Sequence, residues 1–169
     1  MNRAPAWLIE ARRHIGQREV PGPGSNAWIK SLWLRLPGGA WFWKHFGSDD
    51  SKLPWCGAFV ASVMDTCGHQ YPKKYASAKA WLDWGTWLEH PEVGCVVVFA
   101  RDGGGHVGFV VGRDLHKNLL VLGANQGDAV SIAAFRQDRV MGYRWPSDAM
   151  APVAAALPLG AADLSRSEA

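Results

Sequence analysis

The sequence predicts an α+β fold, with N-terminal helices packed on a small antiparallel sheet of about five strands. In the first half of the chain, apolar residues recur at helical spacing between Gly and Pro punctuation. In the second half, short apolar runs are separated by glycine- and asparagine-rich turns. Helices first and a meander after is the order of an α+β domain. The 169 residues fit one domain, and 48% hydrophobic with 20% charged residues is a globular composition. A chain of this length buries enough surface to build a core without metal or disulfide staples.

The elements follow in order. Trp7, Leu8, Ala11 and Ile15 share a helical face over 6–15, and Gly16 is a stop. Pro21-Gly22-Pro23-Gly24 forces a turn. Ser25 or Asn26 can cap a second helix carrying Ile29, Leu32, Trp33 and Leu36, which ends before Pro37. An aromatic patch (Trp41, Phe42, Trp43, Phe46) and a polar loop over 47–52 come next. A third helix is predicted from about Trp55 to Cys67, between Pro54 and Gly68, with Phe59, Val60, Val63 and Cys67 as its apolar stripe. Ser77 can cap a fourth helix running to Trp84. The period then changes. Cys95 to Phe99 reads as a strand buried on both faces, and His106 to Val111 follows the glycine loop 102–105. Leu119 to Gly123, Val130 to Ala133 and Val140 to Trp145 complete the sheet. Residues 1–146 are read as one domain. The Ala- and Pro-rich stretch 147–169 is read as a loosely ordered tail.

Composition excludes several functions. No run approaches the roughly 18 apolar residues of a membrane-spanning helix. The N-terminus shows no apolar segment of the secretory type, and three widely spaced cysteines without a C-x-x-C pair suit a reducing compartment. Synthesis in the cytoplasm is therefore expected. Residues 1–80 hold 11 Lys/Arg against 5 Asp/Glu, and residues 81–169 hold 7 against 10. A basic front half could meet an anionic polymer, but the basic residues are scattered singly and form no nucleic-acid-binding stripe.

Cys56 is the most informative position, because it opens the third helix. An ordinary thiol, with a pKa near about 8.5, is only slightly ionised at neutral pH. A helix N-terminus contributes about 0.3–1 kcal/mol, which is less than one pKa unit at about 1.36 kcal/mol. Position alone does not activate Cys56, so a base must come from elsewhere in the chain. His106 opens an apolar strand straight after a glycine loop, where the imidazole is held on rigid backbone with room for a substrate. The other histidines lie among polar residues on helices or loops. The base needs a third group to orient it, and the loop 123–128 offers Asn125, Gln126 and Asp128. Cys67 and Cys95 sit on apolar faces and read as small buried hydrophobes.

Pro54-Trp55-Cys56-Gly57-Ala58-Phe59-Val60, followed by Gly105-His106-Val107-Gly108-Phe109-Val110-Val111-Gly112, resembles the NlpC/P60 and CHAP group of papain-like cysteine peptidases. The likeness is closest to a small phage and prophage-type branch. That branch shares the upstream Pro-Gly-Pro-Gly-Ser-Asn of residues 21–26 and the downstream Gly123-x-Asn125-Gln126. The resemblance spans roughly residues 5–146. It implies a papain-like fold and hydrolysis of an amide bond in bacterial peptidoglycan, by an amidase or a stem-peptide endopeptidase. By the same likeness Cys56 is the nucleophile, His106 the general base and Asn125 the orienting residue, with Gln126 its rival. NlpC/P60 members usually place a second histidine in that third role. The loop 123–128 has none, so the site is CHAP-like.

Trp55, Asp50 and Gln126 are candidate substrate contacts. Trp55 and the aromatic patch could line a groove, and Asp49 and Asp50 either meet a stem-peptide amine or solvate their loop. No cofactor and no metal are expected. The expected partner is peptidoglycan, reached by a monomer after release or delivery, as a phage lysis enzyme or an antibacterial effector. A non-catalytic wall-binding or phage structural module on the same fold is the alternative. A metal site using Cys67 and His69 lacks tetrahedral ligand spacing.

Overall fold

The computed structural model describes residues 4–46 and 49–165. Among these residues, α1 (Ala6–Arg12), α2 (Ala27–Arg35), α3 (Gly39–Phe46) and α4 (Cys56–Thr66) precede six strands. The strands are β1 (Thr86–Leu88), β2 (Val96–Arg101), β3 (Gly104–Arg113), β4 (Leu119–Gly123), β5 (Ser131–Phe135) and β6 (Val140–Trp145). They form one sheet in the order β1-β6-β2-β3-β4-β5, antiparallel throughout. The α+β expectation holds, with one strand more than the five predicted. The addition is β1, whose three residues pair with Tyr143–Trp145 at the sheet edge. It is too short and too exposed to leave an alternating pattern in the sequence.

α4 is the central helix. Every residue from Cys56 to Met64 is buried, with β3 and β4 on one side and α1 and α2 on the other. Its small residues Gly57, Ala58 and Ala61 let backbone and aromatic neighbours close in. Trp33, Trp55, Trp81, Phe59 and Met64 are fully enclosed in the same core. Asn26 caps α2 by accepting from the Trp28 N–H at 2.8 Å, which decides between the two capping candidates.

Three local expectations change. The aromatic patch is helical: in α3, Phe42 packs on Trp33 at 5.5 Å, while Trp41 stays more than half exposed. The segment after Ser77 is a 3₁₀ turn, Ala78–Asp83, rather than an α-helix. Its three-residue period puts Ala78, Trp81 and Trp84 on one buried face, with the two indoles edge to face at 5.0 Å. The polar loop contains a short turn at Asp50–Lys52, while Gly47 and Ser48 lie outside the described residues.

The stretch past Ser147 is not loosely ordered over its described length. Arg113 N–H donates to the Pro158 carbonyl, and Gly160 N–H donates back to Arg113. Further on, Asp163 and Ser165 bracket Ala134 of the edge strand β5 with two more backbone bonds. The tail thus covers part of a sheet edge that would otherwise present unpaired backbone groups.

Candidate active site

The first turn of α4 is fixed by a buried polar network. Trp55 N–H donates to Asn125 Oδ1 at 2.5 Å, and its indole Nε1 donates to Glu19 Oε1 at 2.7 Å. Asn125 Nδ2 donates to the same Glu19 oxygen at 3.1 Å. One carboxylate therefore ties the strap before α2, the start of α4 and the β4–β5 loop together. Burial pushes the Glu19 carboxyl above its ordinary range. The Trp55 bond opposes that shift, while the charges of Asp128, Asp50 and Asp49 reinforce it. Asn125 adopts φ 57°, a left-handed conformation that asparagine tolerates better than most residues.

Gly57 seats this turn from the other side. A Cβ built on Gly57 would stand 2.1 Å from the Tyr75 carbonyl oxygen, so the 75–76 backbone crosses directly over α4. Elsewhere in a helix, alanine is favoured over glycine by about 1 kcal/mol. Here Gly57→Ala should instead lower stability by about 2–3 kcal/mol, read from the denaturant midpoint. An unchanged midpoint would contradict this close approach.

Cys56 is the first residue of α4, and its thiol receives the backbone N–H of Val107, the neighbour of His106 on β3. Burial pushes the Cys56 thiol up. The N–H groups of Val107, Gly57 and Cys56 itself, together with the Arg101 charge, pull the other way without overcoming it. Burial therefore favours the protonated thiol over the thiolate.

His106 is 1% exposed. Its ring lies almost parallel to Phe135, with centroids 5.2 Å apart, and Phe99 stacks beyond at 6.4 Å. His106 Nε2 lies 3.0 Å from Gln126 Oε1. The orientation of the Gln126 amide is settled by its other end, where Nε2 donates to the Val121 and Ser131 carbonyls. Its Oε1 must then accept, so His106 carries its proton on Nε2 and Nδ1 holds the lone pair that can act as a base. Gly123 makes room for this contact: a Cβ there would stand 2.6 Å from Gln126 Oε1 and 3.3 Å from His106 Nε2.

Cys56 lies against the Val107 backbone, one residue along from His106, and the side chain on the imidazole is Gln126. Asn125, expected in that place, is turned away to the α4 N-terminus, because its left-handed φ sends adjacent side chains of one loop to different partners. The candidate substrate contacts are also relocated. Trp55 is fully buried on Glu19, and Gln126 spends its polar atoms within the protein. Asp50 is 1% exposed and accepts from Asn26 N–H at 2.7 Å. These three serve the interior.

Glu19, Phe135 and Arg101 were missed. Glu19 lies 36 residues from Trp55 and 106 from Asn125, in a stretch without periodicity. Cys95 is buried with its thiol pushed up to about 12, Cys67 is half-buried with its thiol raised by burial, and neither lies at the start of α4. Among the described residues, no group of three or more His, Cys, Asp or Glu is placed to share a metal ion. No helix among them is long and apolar enough to cross a membrane.

A cavity of about 580 Å³ opens beside α4, floored by Trp33, Phe42, Pro54 and Tyr75 and rimmed by Lys52, Lys73 and Lys74. Its lining includes Pro54, two residues before Cys56, and Tyr75 and Ala76, whose backbone crosses Gly57.

No curated protein and no solved structure matches the chain. The family comparison is positive: residues 48–125, which hold Cys56, His106 and Asn125, match the CHAP domain.

Proposed function

We propose that this protein is a peptidoglycan hydrolase that cleaves an amide bond of the bacterial wall through a Cys56 thioester. CHAP domains are typically cysteine- and histidine-dependent peptidoglycan amidases or endopeptidases. The observation that carries the reading is the set Cys56–His106–Gln126, with the thiol at a helix start beside β3 and the imidazole tautomer fixed by an amide oxygen.

In this reading His106 Nδ1 takes the Cys56 proton as sulfur attacks the scissile carbonyl. The tetrahedral oxyanion meets the Cys56 backbone N–H at the open first turn of α4. Collapse expels the amine, which takes the proton back from His106. Water, activated by the same imidazole, then attacks the thioester carbonyl and releases the carboxylic acid and the thiol. The cavity beside α4 suits an acyl chain with an apolar body and anionic groups facing its lysine rim. The biological setting that fits is a phage lysis enzyme or a delivered antibacterial effector. Digestion of purified peptidoglycan followed by labelling of new amine termini tests the activity. New L-alanine termini indicate an amidase and internal stem-peptide termini an endopeptidase. No termini across several wall chemistries would favour the wall-binding alternative.

Neighbouring loop residues separate positioning from stability. Gln126→Ala should lower kcat on the order of 10–100-fold with KM nearly unchanged, the range for a lost partner that orients an imidazole. Asn125→Ala leaves the Trp55 N–H unpaired, and should lower stability by about 1–3 kcal/mol while sparing more of kcat. Steady-state kinetics and thermal melts on both variants check this. The reverse ranking would return the orienting role to Asn125.

A further inference from the structure

Arg101 ends β2 where the β2–β3 hairpin turns, paired with Gly104, just as Phe99 is paired with His106. Directly paired residues, and residues two apart on a strand, share one face of a sheet. Arg101, Phe99, Gly104 and His106 therefore share a face, and at about 3.4 Å per residue Arg101 stands roughly 7 Å along the strand from the imidazole pair. Its guanidinium folds towards Gly104, with Nη2 3.8 Å from the place a Cβ would occupy there.

Two features single this cation out. Its Nε is shielded from solvent and has no hydrogen-bond acceptor. Among the described residues, no carboxylate forms an ion pair with it either. A buried N–H donor left without an acceptor is unfavourable, and native structures seldom keep one without a role. Arg139 nearby is engaged, donating to the Ala100 carbonyl and lying over the Phe135 ring at 5.6 Å. The Arg101 charge is also felt at the Cys56 sulfur.

We propose that Arg101 forms a carboxylate-binding subsite for the acyl substrate, its two Nη–H groups gripping a carboxylate one or two residues from the scissile amide. The fork of an arginine matches a carboxylate with two parallel bonds. One residue of extended peptide spans about 3.3–3.6 Å, so a carboxylate one or two residues from the reacting carbonyl lies within roughly 7 Å of it, the same scale as the strand spacing between Arg101 and the Phe99–His106 pair. The proposal rests on the hydrolase reading and specifies its substrate: a stem with a free carboxylate beside the cleaved bond is preferred over the same stem with that carboxylate amidated.

The test compares an anionic and a neutral reagent at the same sulfur. Rates of Cys56 alkylation by iodoacetate and by iodoacetamide are followed by mass spectrometry in wild type, Arg101→Met and Arg101→Lys. The iodoacetate-to-iodoacetamide ratio should fall about tenfold in Arg101→Met, as expected for losing one charge-assisted contact. Arg101→Lys keeps the charge without the fork, so its ratio should fall in between, and it carries the test if the methionine variant is unstable. In hydrolysis, Arg101→Met should raise KM for acidic stems and leave KM for amidated stems unchanged. An unchanged ratio overturns the subsite. So does a parallel loss of both rates, because Arg101 would then act on the sulfur alone. Failure of both reagents to modify Cys56 in wild type is a different pattern, and would overturn the nucleophile reading together with the subsite.

Discussion

Cys56→Ala protein, incubated with purified peptidoglycan, should release no new amine termini while keeping the wild-type melting temperature within a few degrees. The thiol is 5% exposed and small, so its loss removes little packing. In this reading it is the thiol that becomes the thioester, because it opens α4 beside β3. Where a nucleophile works as part of a unit, its removal costs on the order of 10⁶-fold in kcat. The remaining rate then comes from substrate binding and oxyanion stabilisation alone. Cys67→Ala and Cys95→Ala serve as internal controls. They should shift stability and leave turnover close to wild type, because neither thiol lies at the α4 start.

His106→Ala should lower kcat by roughly 10²–10⁴-fold, the usual contribution of a positioned general base. The reason lies in the burial of Cys56. With its thiol held above the ordinary range, little thiolate exists at neutral pH without help, so removing the imidazole leaves a protonated sulfur. The sign of the pH dependence follows. In His106→Ala, residual activity should keep climbing with pH beyond the ordinary thiol range, because only bulk base then generates the thiolate. A pH–rate profile identical in shape to wild type would show that His106 is not the base. The substitution also empties the ring site against Phe135, so a melt must accompany the kinetics.

What could be read in the sequence is what side-chain patterns determine. α4 was legible because an apolar run with small residues sits between Pro54 and Gly68. β2 was legible because a strand covered on both faces is a continuous apolar run. Cys56 stood out because it opens α4, and His106 because it follows the glycines at the head of an apolar run, although β3 itself already starts at Gly104. The choice between Asn125 and Gln126 was not, since it depends on one left-handed φ that decides which side chain faces β3. Glu19 joins the site through contacts distant in sequence, and distance leaves no local mark. The tail was misread because its order comes from backbone hydrogen bonds to Arg113 and Ala134, which an Ala- and Pro-rich composition does not announce. Arg101 needed the β2–β3 register before its face could be assigned.

The most direct test of the account is whether modifying one sulfur accounts for all loss of activity. The protein is treated with graded iodoacetamide, each cysteine peptide is quantified by mass spectrometry, and hydrolysis of purified peptidoglycan is measured on the same samples. Activity should fall in direct proportion to carbamidomethylation of Cys56, reaching zero when that residue is fully modified and Cys67 and Cys95 are largely intact. Hydrolysis that survives complete modification of Cys56 would contradict the account.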